Sequence, residues 1–84
     1  MNYTVIWRPL AEARLVELWS AASDREAVAA AADEIDARLH RAPQVEGESR
    51  WGATRILLTP PLAVYYDVSE PDRLVSVWAV WMTK

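Results

Sequence analysis

Three strand-like runs fill the last third of the chain, and no helical segment separates them. They cover residues 54–58, 62–68 and 74–81. The connections are short and carry turn residues, namely Pro60-Pro61 and the segment 69–72. Connections of this length leave no room for a crossover helix, so consecutive strands must be antiparallel neighbours. The C-terminal part is therefore predicted to be an antiparallel meander.

The first half of the chain follows a different pattern. Residues 3–8 are β-branched and aromatic and predict a strand that ends at Pro9. Apolar residues then recur at helical spacing, which predicts one helix up to residues 20–22 and a second from residue 23 to before Pro43. The connection between them is short, so the two helices are expected to form an antiparallel hairpin. Residues 43–53 contain Pro, Gly and several charges and are predicted to be a loop.

The resulting order, β-α-α-β-β-β, predicts an α+β fold. The helical hairpin is expected to pack on one face of a small, mostly antiparallel four-stranded sheet. The position of the first strand, at the edge or beside a central strand, stays open. With 84 residues, the chain is expected to form one domain, residues 1–84.

Composition excludes several classes of site. Nine Lys and Arg residues stand against twelve Asp and Glu, a net charge of −3, so the basic excess typical of a free-standing nucleic-acid binder is absent. There is no Cys and a single His, which argues against zinc–thiolate sites, thiol nucleophiles and histidine-rich metal sites. We expect no cofactor and no metal. No apolar run is long enough to span a membrane, so we expect a cytoplasmic protein without membrane contact.

Short patterns extend along nearly the whole chain in a fixed order. They are Tyr3-x-Val5-x-Trp7, Ala11-x-x-x-Leu15-x-x-Leu18, Leu39-x-x-x-Pro43-x-x-x-Gly47, Gly52-x-x-Arg55-x-Leu57, Val64-Tyr65-Tyr66-x-Val68 and Val75-x-Val77-x-x-Val80. Each pattern alone is mostly strand or helix core. In their order and spacing together they resemble the RelE/ParE superfamily of bacterial type II toxins, which includes plasmid-stabilisation-like proteins.

The resemblance implies a toxin that a cognate antitoxin holds inactive. Members of the RelE branch cleave mRNA in the ribosomal A site, members of the ParE branch act on DNA gyrase, and some relatives have no detectable toxicity. The presence or absence of the residues needed for catalysis must decide which branch this chain resembles.

Ribosome-dependent cleavage needs a base, an acid and several cations around one phosphate. The RelE branch places Lys and Arg on the middle strands and Arg with Tyr or His after the last strand. Here Ala63 stands where that branch commonly has Arg, and little chain follows the last strand. This favours a ParE-like protein that binds and inhibits a target, with DNA gyrase as a candidate. The alternatives are a RelE-like endoribonuclease acting on the ribosome with an altered cation set, and a non-toxic interaction module or homodimer. That cation set would be Arg50, Arg55, Arg73 and Lys84.

Three residues are candidates for catalysis. Arg55 matches the basic position of the superfamily pattern and is expected to contribute to a site on the open face of the sheet; otherwise it pairs with Glu46, Glu48 or Asp67. Tyr65 and Tyr66 are adjacent and must point to opposite faces. The resemblance places Tyr66 in the core, which leaves Tyr65 on the open face. Lys84 could add a cation near Arg55.

Four further residues are candidates for partner binding. Arg50 and Trp51 precede Gly52, where a basic and an aromatic side chain could clamp a nucleic-acid base or a partner chain, or Trp51 could simply cover the core. Trp78 and Trp81 are three residues apart on a strand and are expected to face opposite ways, with at least one anchoring a partner on the open face.

Overall fold

The computed structural model describes residues 2–83. The helices and strands in this range confirm the predicted α+β class. In chain order they are β1 (Thr4–Trp7), α1 (Pro9–Ala21), α2 (Arg25–Arg41), α3 (Pro43–Glu46), β2 (Glu48–Trp51), β3 (Thr54–Thr59), β4 (Leu62–Ser69) and β5 (Leu74–Met82).

The strands form one mixed sheet in the order β1-β5-β4-β3-β2. The predicted meander is present, because β3, β4 and β5 pair antiparallel with their neighbours in the chain. β1 lies at the sheet edge and runs parallel to β5, with Val5 opposite Val75. The helices follow β1 and carry the chain to the opposite edge of the sheet, from which the antiparallel strands lead back to β5 beside β1.

The segment predicted as a loop, residues 43–53, instead contains α3 and β2. The sheet therefore has a fifth strand in the described range rather than the four predicted. β2 pairs antiparallel with β3 and turns through Gly52, whose φ is +54°. All four residues of β2 are exposed, so the strand shows no alternation of apolar and polar residues. Backbone pairing along the sheet edge forms it, and that leaves no hydrophobic signal in the sequence.

The core lies between the helices and one face of the sheet. From α2 it takes an apolar stripe, Val28, Ala31, Ile35 and Leu39. The strands contribute alternate residues, so that the opposite face of the sheet is left without a helix. The buried strand residues of this core are Leu57, Leu62, Val64, Tyr66, Val75, Val77 and Val80.

No helix within residues 2–83 combines the length and the apolar character needed to cross a lipid bilayer. In the same part of the chain, no three His, Asp or Glu side chains are grouped so as to hold a metal ion.

Candidate functional site

The face of the sheet that carries no helix is centred on Tyr65. Its neighbour Tyr66 is fully buried under the helices, and its hydroxyl donates a 2.7 Å hydrogen bond to the carbonyl of Pro43. Successive residues of a strand point to opposite faces, so Tyr65 lies on the open face. The predicted assignment of the two tyrosines to core and open face is confirmed.

Three tryptophans surround Tyr65 on this face. The ring centroid of Trp51 lies 5.1 Å from that of Tyr65 in an edge-on arrangement, Trp78 stacks on it at 5.2 Å, and Trp81 is tilted against it at 4.7 Å. These separations fall within the range in which aromatic pairs attract each other. We call Trp51, Tyr65, Trp78 and Trp81 the aromatic platform.

The prediction that Trp78 and Trp81 face opposite ways is wrong. Tyr65 pairs with Ala79 and Tyr66 pairs with Val77, so Trp78 is an extra residue without a partner on β4. This β-bulge shifts the alternation of β5 by one residue. Both indoles therefore reach Tyr65. A period of two, applied without interruption, could not have placed them together.

Asp67 orients one indole of the platform. Its Oδ1 accepts hydrogen bonds from Trp78 Nε1 at 3.2 Å and from the Thr54 hydroxyl at 2.8 Å. Because a charged acceptor strengthens both bonds, the carboxylate fixes the indole plane relative to the sheet. No hydrogen bond to Asp67 Oδ2 is present among residues 2–83.

Arg55 does not lie on the open face, contrary to expectation. It sits opposite Tyr66 on the neighbouring strand, and directly opposed residues share a face, so its side chain points toward the helices. Nη2 donates to the backbone carbonyl of Gly47, and Nε is buried without a hydrogen-bond partner in the described range. Among the described residues, Arg55 forms none of the ion pairs that were its alternative role; Glu46, for example, accepts from Arg38 at 2.8 Å.

The other predicted cations lie elsewhere. Arg50 lines a cleft of about 170 Å³ beside the outer edge of β3, together with Arg38 and Glu46. Arg73 lies in the turn before β5, where its guanidinium stacks 4.1 Å above the Tyr3 ring. Lys84 falls outside the described residues. The three described cations thus lie on the helix side, on the edge strand β2 and in a turn.

Burial raises the pKa of the Tyr66 hydroxyl above its ordinary value, and the neighbouring Arg55 partly opposes this change. At the other end of the sheet, Glu70 accepts from Gln44 and from Tyr3, whose hydroxyl lies 2.9 Å from the carboxylate oxygens. These bonds hold the pKa of Glu70 below its ordinary value. Both clusters link chain segments that are distant in sequence, which is a structural role.

A groove of about 620 Å³ between β1 and α2 was not predicted from the sequence. It is lined by Trp7, Asp33, Asp36 and His40 among others. Trp7 Nε1 donates to Asp36 at 2.7 Å, and His40 Nδ1 lies 2.7 Å from the Tyr3 carbonyl. Asp36 meets Trp7 because β1 lies at the sheet edge, a position that the sequence had left open.

Comparison with known proteins identifies the fold. No family model matches the chain, and no curated protein matches it either. Among solved structures, a chain of the toxin–antitoxin complex RelBE2 from Mycobacterium tuberculosis superposes with a TM-score of 0.81, at 20% identity over 98% of this chain and 99% of that one. A chain of the chromosomal ParDE toxin–antitoxin system from P. aeruginosa gives 0.72, at 15% identity over 98% and 97%. The chain therefore has the RelE/ParE-like fold.

Proposed function

We propose that this protein is the toxin component of a type II toxin–antitoxin module, and that it acts by binding a protein target and is neutralised by a cognate antitoxin. The observation that carries the mode of action is the division of the sheet. The open face presents the aromatic platform, whereas Arg55 is bound to Gly47 on the opposite side. Aromatic side chains on an exposed face are typical anchors of protein–protein contacts.

The arrangement offers little support for phosphodiester cleavage on this face. Such a reaction needs cations where negative charge develops on the phosphate. Arg50 and Arg73 lie at the sheet edge and in the β4–β5 turn, and Asp67 adds a negative charge beside Tyr65. A RelE-like nuclease is the alternative, because the RelBE2 chain gives the higher of the two TM-scores.

The helical side offers a separate surface for the antitoxin. On α1 only Ala11 is buried, while Leu10 and Val16 are 84% and 58% exposed. Exposed apolar side chains on one helix are what an amphipathic partner segment covers. In this proposal the target occupies the open face and the antitoxin binds at least the helical side.

Growth of a bacterial host after induced expression tests the proposal. We expect arrest, relief of arrest by the gene encoded beside the toxin, and loss of arrest in Trp51→Ala with the protein still soluble. Val45→Ser is the matched control, since Val45 is an exposed apolar residue of α3 and lies outside the platform. Soluble, folded protein that never slows growth would support a non-toxic interaction module instead.

Two assays on purified components then identify the target class. Inhibition of supercoiling by DNA gyrase at micromolar toxin supports a ParE-like action. Cleavage of mRNA on translating ribosomes would overturn the binding mode and assign the RelE-like activity. The Tyr65→Phe variant distinguishes the two activities further. It keeps the ring that anchors a partner, so inhibition by binding should remain, but it lacks the hydroxyl that a catalytic tyrosine needs, so cleavage should be lost.

A further inference from the structure

We infer that the aromatic platform binds an arginine side chain presented by a basic, extended segment of the partner protein. This inference rests on the proposed function only in taking the open face as the target surface. Its first support is the chemistry of the platform. The ring centroids of Trp51, Trp78 and Trp81 each lie within 5.2 Å of that of Tyr65, and Trp51 is 56% exposed. The electron-rich faces of such rings attract a cation.

The charges on the open face also favour a basic occupant. Register places Glu48 beside Ile56, and Ile56 beside Tyr65, so Glu48 shares the face of the platform. Asp67 lies on this face too, and its Oδ2 is left for a further donor. Among the described residues, Glu48 and Asp67 thus place two carboxylates on the open face, and the basic Arg55 is directed away. Arg50, the extra residue of the bulge in β2, lies at the rim of this face in the same cleft as Glu48.

The chain already uses the same contact elsewhere. Arg73 stacks over Tyr3 at 4.1 Å, and Arg25 lies 4.9 Å from the ring centre of Trp19. Within residues 2–83, no cation occupies the platform, although it offers more aromatic surface than either pair. A guanidinium is planar and weakly hydrated, so it stacks on such rings more favourably than the ammonium of lysine.

The same features argue against two other occupants. A single-stranded nucleic acid also stacks on aromatic side chains, but it needs a basic groove for its phosphates, and this face carries Glu48 and Asp67. A second copy of the chain, docked face to face, would bring like carboxylates toward each other across a two-fold axis. An arginine-bearing strand satisfies both the rings and the carboxylates.

Titration of the full chain, labelled at its indole nitrogens, tests this. The probe is a blocked hexapeptide of alternating arginine and threonine; matched peptides carry lysine or citrulline in place of arginine. We expect saturable shifts of the Trp51, Trp78 and Trp81 indole signals, while Trp7 and Trp19 stay unchanged as internal controls. The neutral citrulline peptide should bind about 2- to 30-fold more weakly, the range that a cation–π contact covers.

Substitutions locate the site. Asp67→Asn keeps an oxygen for Trp78 and Thr54 but removes the charge, and it should weaken binding several-fold. Glu17→Gln removes an equal charge from α1 and should leave binding unchanged. Trp81→Leu removes one ring of the platform and should also weaken binding, so it tests the site should Asp67→Asn fold poorly. The dispersion of the indole signals reports whether each variant is folded.

Several results would overturn the inference. These are equal binding of the citrulline peptide, equal effects of Asp67→Asn and Glu17→Gln, or shifts spread over all five indoles. Stronger shifts with a uridine hexanucleotide would assign the platform to RNA, and concentration-dependent shifts without any probe would assign it to a second copy. Peptide binding without toxicity would refute the proposed function alone, and toxicity without peptide binding would refute this inference alone.

Discussion

Arg55 and Tyr66 lie directly opposite each other on β3 and β4, and both side chains point toward the helices. The Tyr66 hydroxyl donates to the Pro43 carbonyl, and Arg55 donates to the Gly47 carbonyl. Pro43 begins α3, and Gly47 follows it directly. The pair therefore fastens both ends of this short helix to the sheet, at the point where the chain passes from its helical part to β2.

We expect Arg55→Ala to lower stability rather than to remove activity selectively. The substitution leaves the Gly47 carbonyl without its charged donor, and such hydrogen bonds contribute about 1.5–3 kcal/mol. Urea unfolding measures the loss. In the growth assay, Arg55→Ala should still arrest cells at a temperature at which it is folded. Loss of arrest by a variant of unchanged stability would instead give Arg55 a direct functional role.

Tyr66→Phe should cost about 1–2 kcal/mol of unfolding free energy, because the buried Pro43 carbonyl loses its donor. Tyr65→Phe is the matched control on the adjacent residue. The aromatic contacts of Tyr65 involve its ring alone, so its stability should stay within about 0.5 kcal/mol of the parent. Equal losses in the two variants would contradict the assignment of Tyr66 to the core side.

Gly47→Ala should destabilise the protein by about 1–3 kcal/mol through overpacking. A Cβ at this position would collide with the Tyr66 hydroxyl and lie 2.7 Å from the Ile56 carbonyl oxygen, and that backbone atom has little freedom to move. Gly52→Asn provides the comparison. Gly52 has a φ of +54° and open space around it, and asparagine tolerates this conformation, so the variant should be close to neutral. Stability equal to the parent in Gly47→Ala would contradict the close packing of Tyr66 on this turn.

The sequence was sufficient for the parts of the fold that follow hydrophobic periodicity. The stripe of α2 follows from helical spacing. Spacing also shows that Tyr65 and Tyr66 face opposite ways, whereas the family resemblance implied which of them lies inside. The features of the fold that the sequence did not reveal are those that depend on backbone pairing between strands. β2 forms at an exposed edge from residues such as Glu48 without apolar alternation, and the bulge at Trp78 shifts the register of β5.

Prediction of the candidate site was incomplete for the same reason, because the site too depends on strand pairing and register. The aromatic residues Trp51, Tyr65, Trp78 and Trp81 were singled out, but their convergence on one face depends on the bulge. Arg55 was assigned to the wrong face because its position in a motif carries no information about which side of the strand it takes. Register settles that question, and a shift of one residue reverses it.

Arg38 should contribute more to stability than a surface arginine does. It bridges three elements: its Nε donates to Glu46 of α3 at 2.8 Å, and its Nη1 donates to the Thr59 hydroxyl of β3 at 3.2 Å. Arg38→Ala should therefore cost about 1–3 kcal/mol. Arg14 pairs with the exposed Glu17 on α1, and Arg14→Ala is the control, which should cost less than about 1 kcal/mol of unfolding free energy. Similar losses in both variants would show that the link between α2, α3 and β3 adds nothing.

Alkaline pH should destabilise the protein through Tyr66. Burial raises its pKa in the folded state, so above about pH 10 the unfolded chain releases this proton while the folded protein retains it. The stabilisation is fully present below the unfolded pKa and is lost as the pH rises toward the folded value, with a slope of up to about 1.4 kcal/mol per pH unit. The measurement is urea unfolding between pH 8 and about pH 11 for the parent and Tyr66→Phe.

The parent should lose stability more steeply than Tyr66→Phe over this range, so the two curves converge as the pH rises. Tyr3, whose pKa is raised by its hydrogen bond to Glu70, contributes in the same direction in both proteins and cancels from the difference. Parallel curves would mean that the Tyr66 hydroxyl titrates alike in the folded and unfolded states. That result would contradict its burial beneath the helices and, with it, the link through which Tyr66 fastens α3 to the sheet.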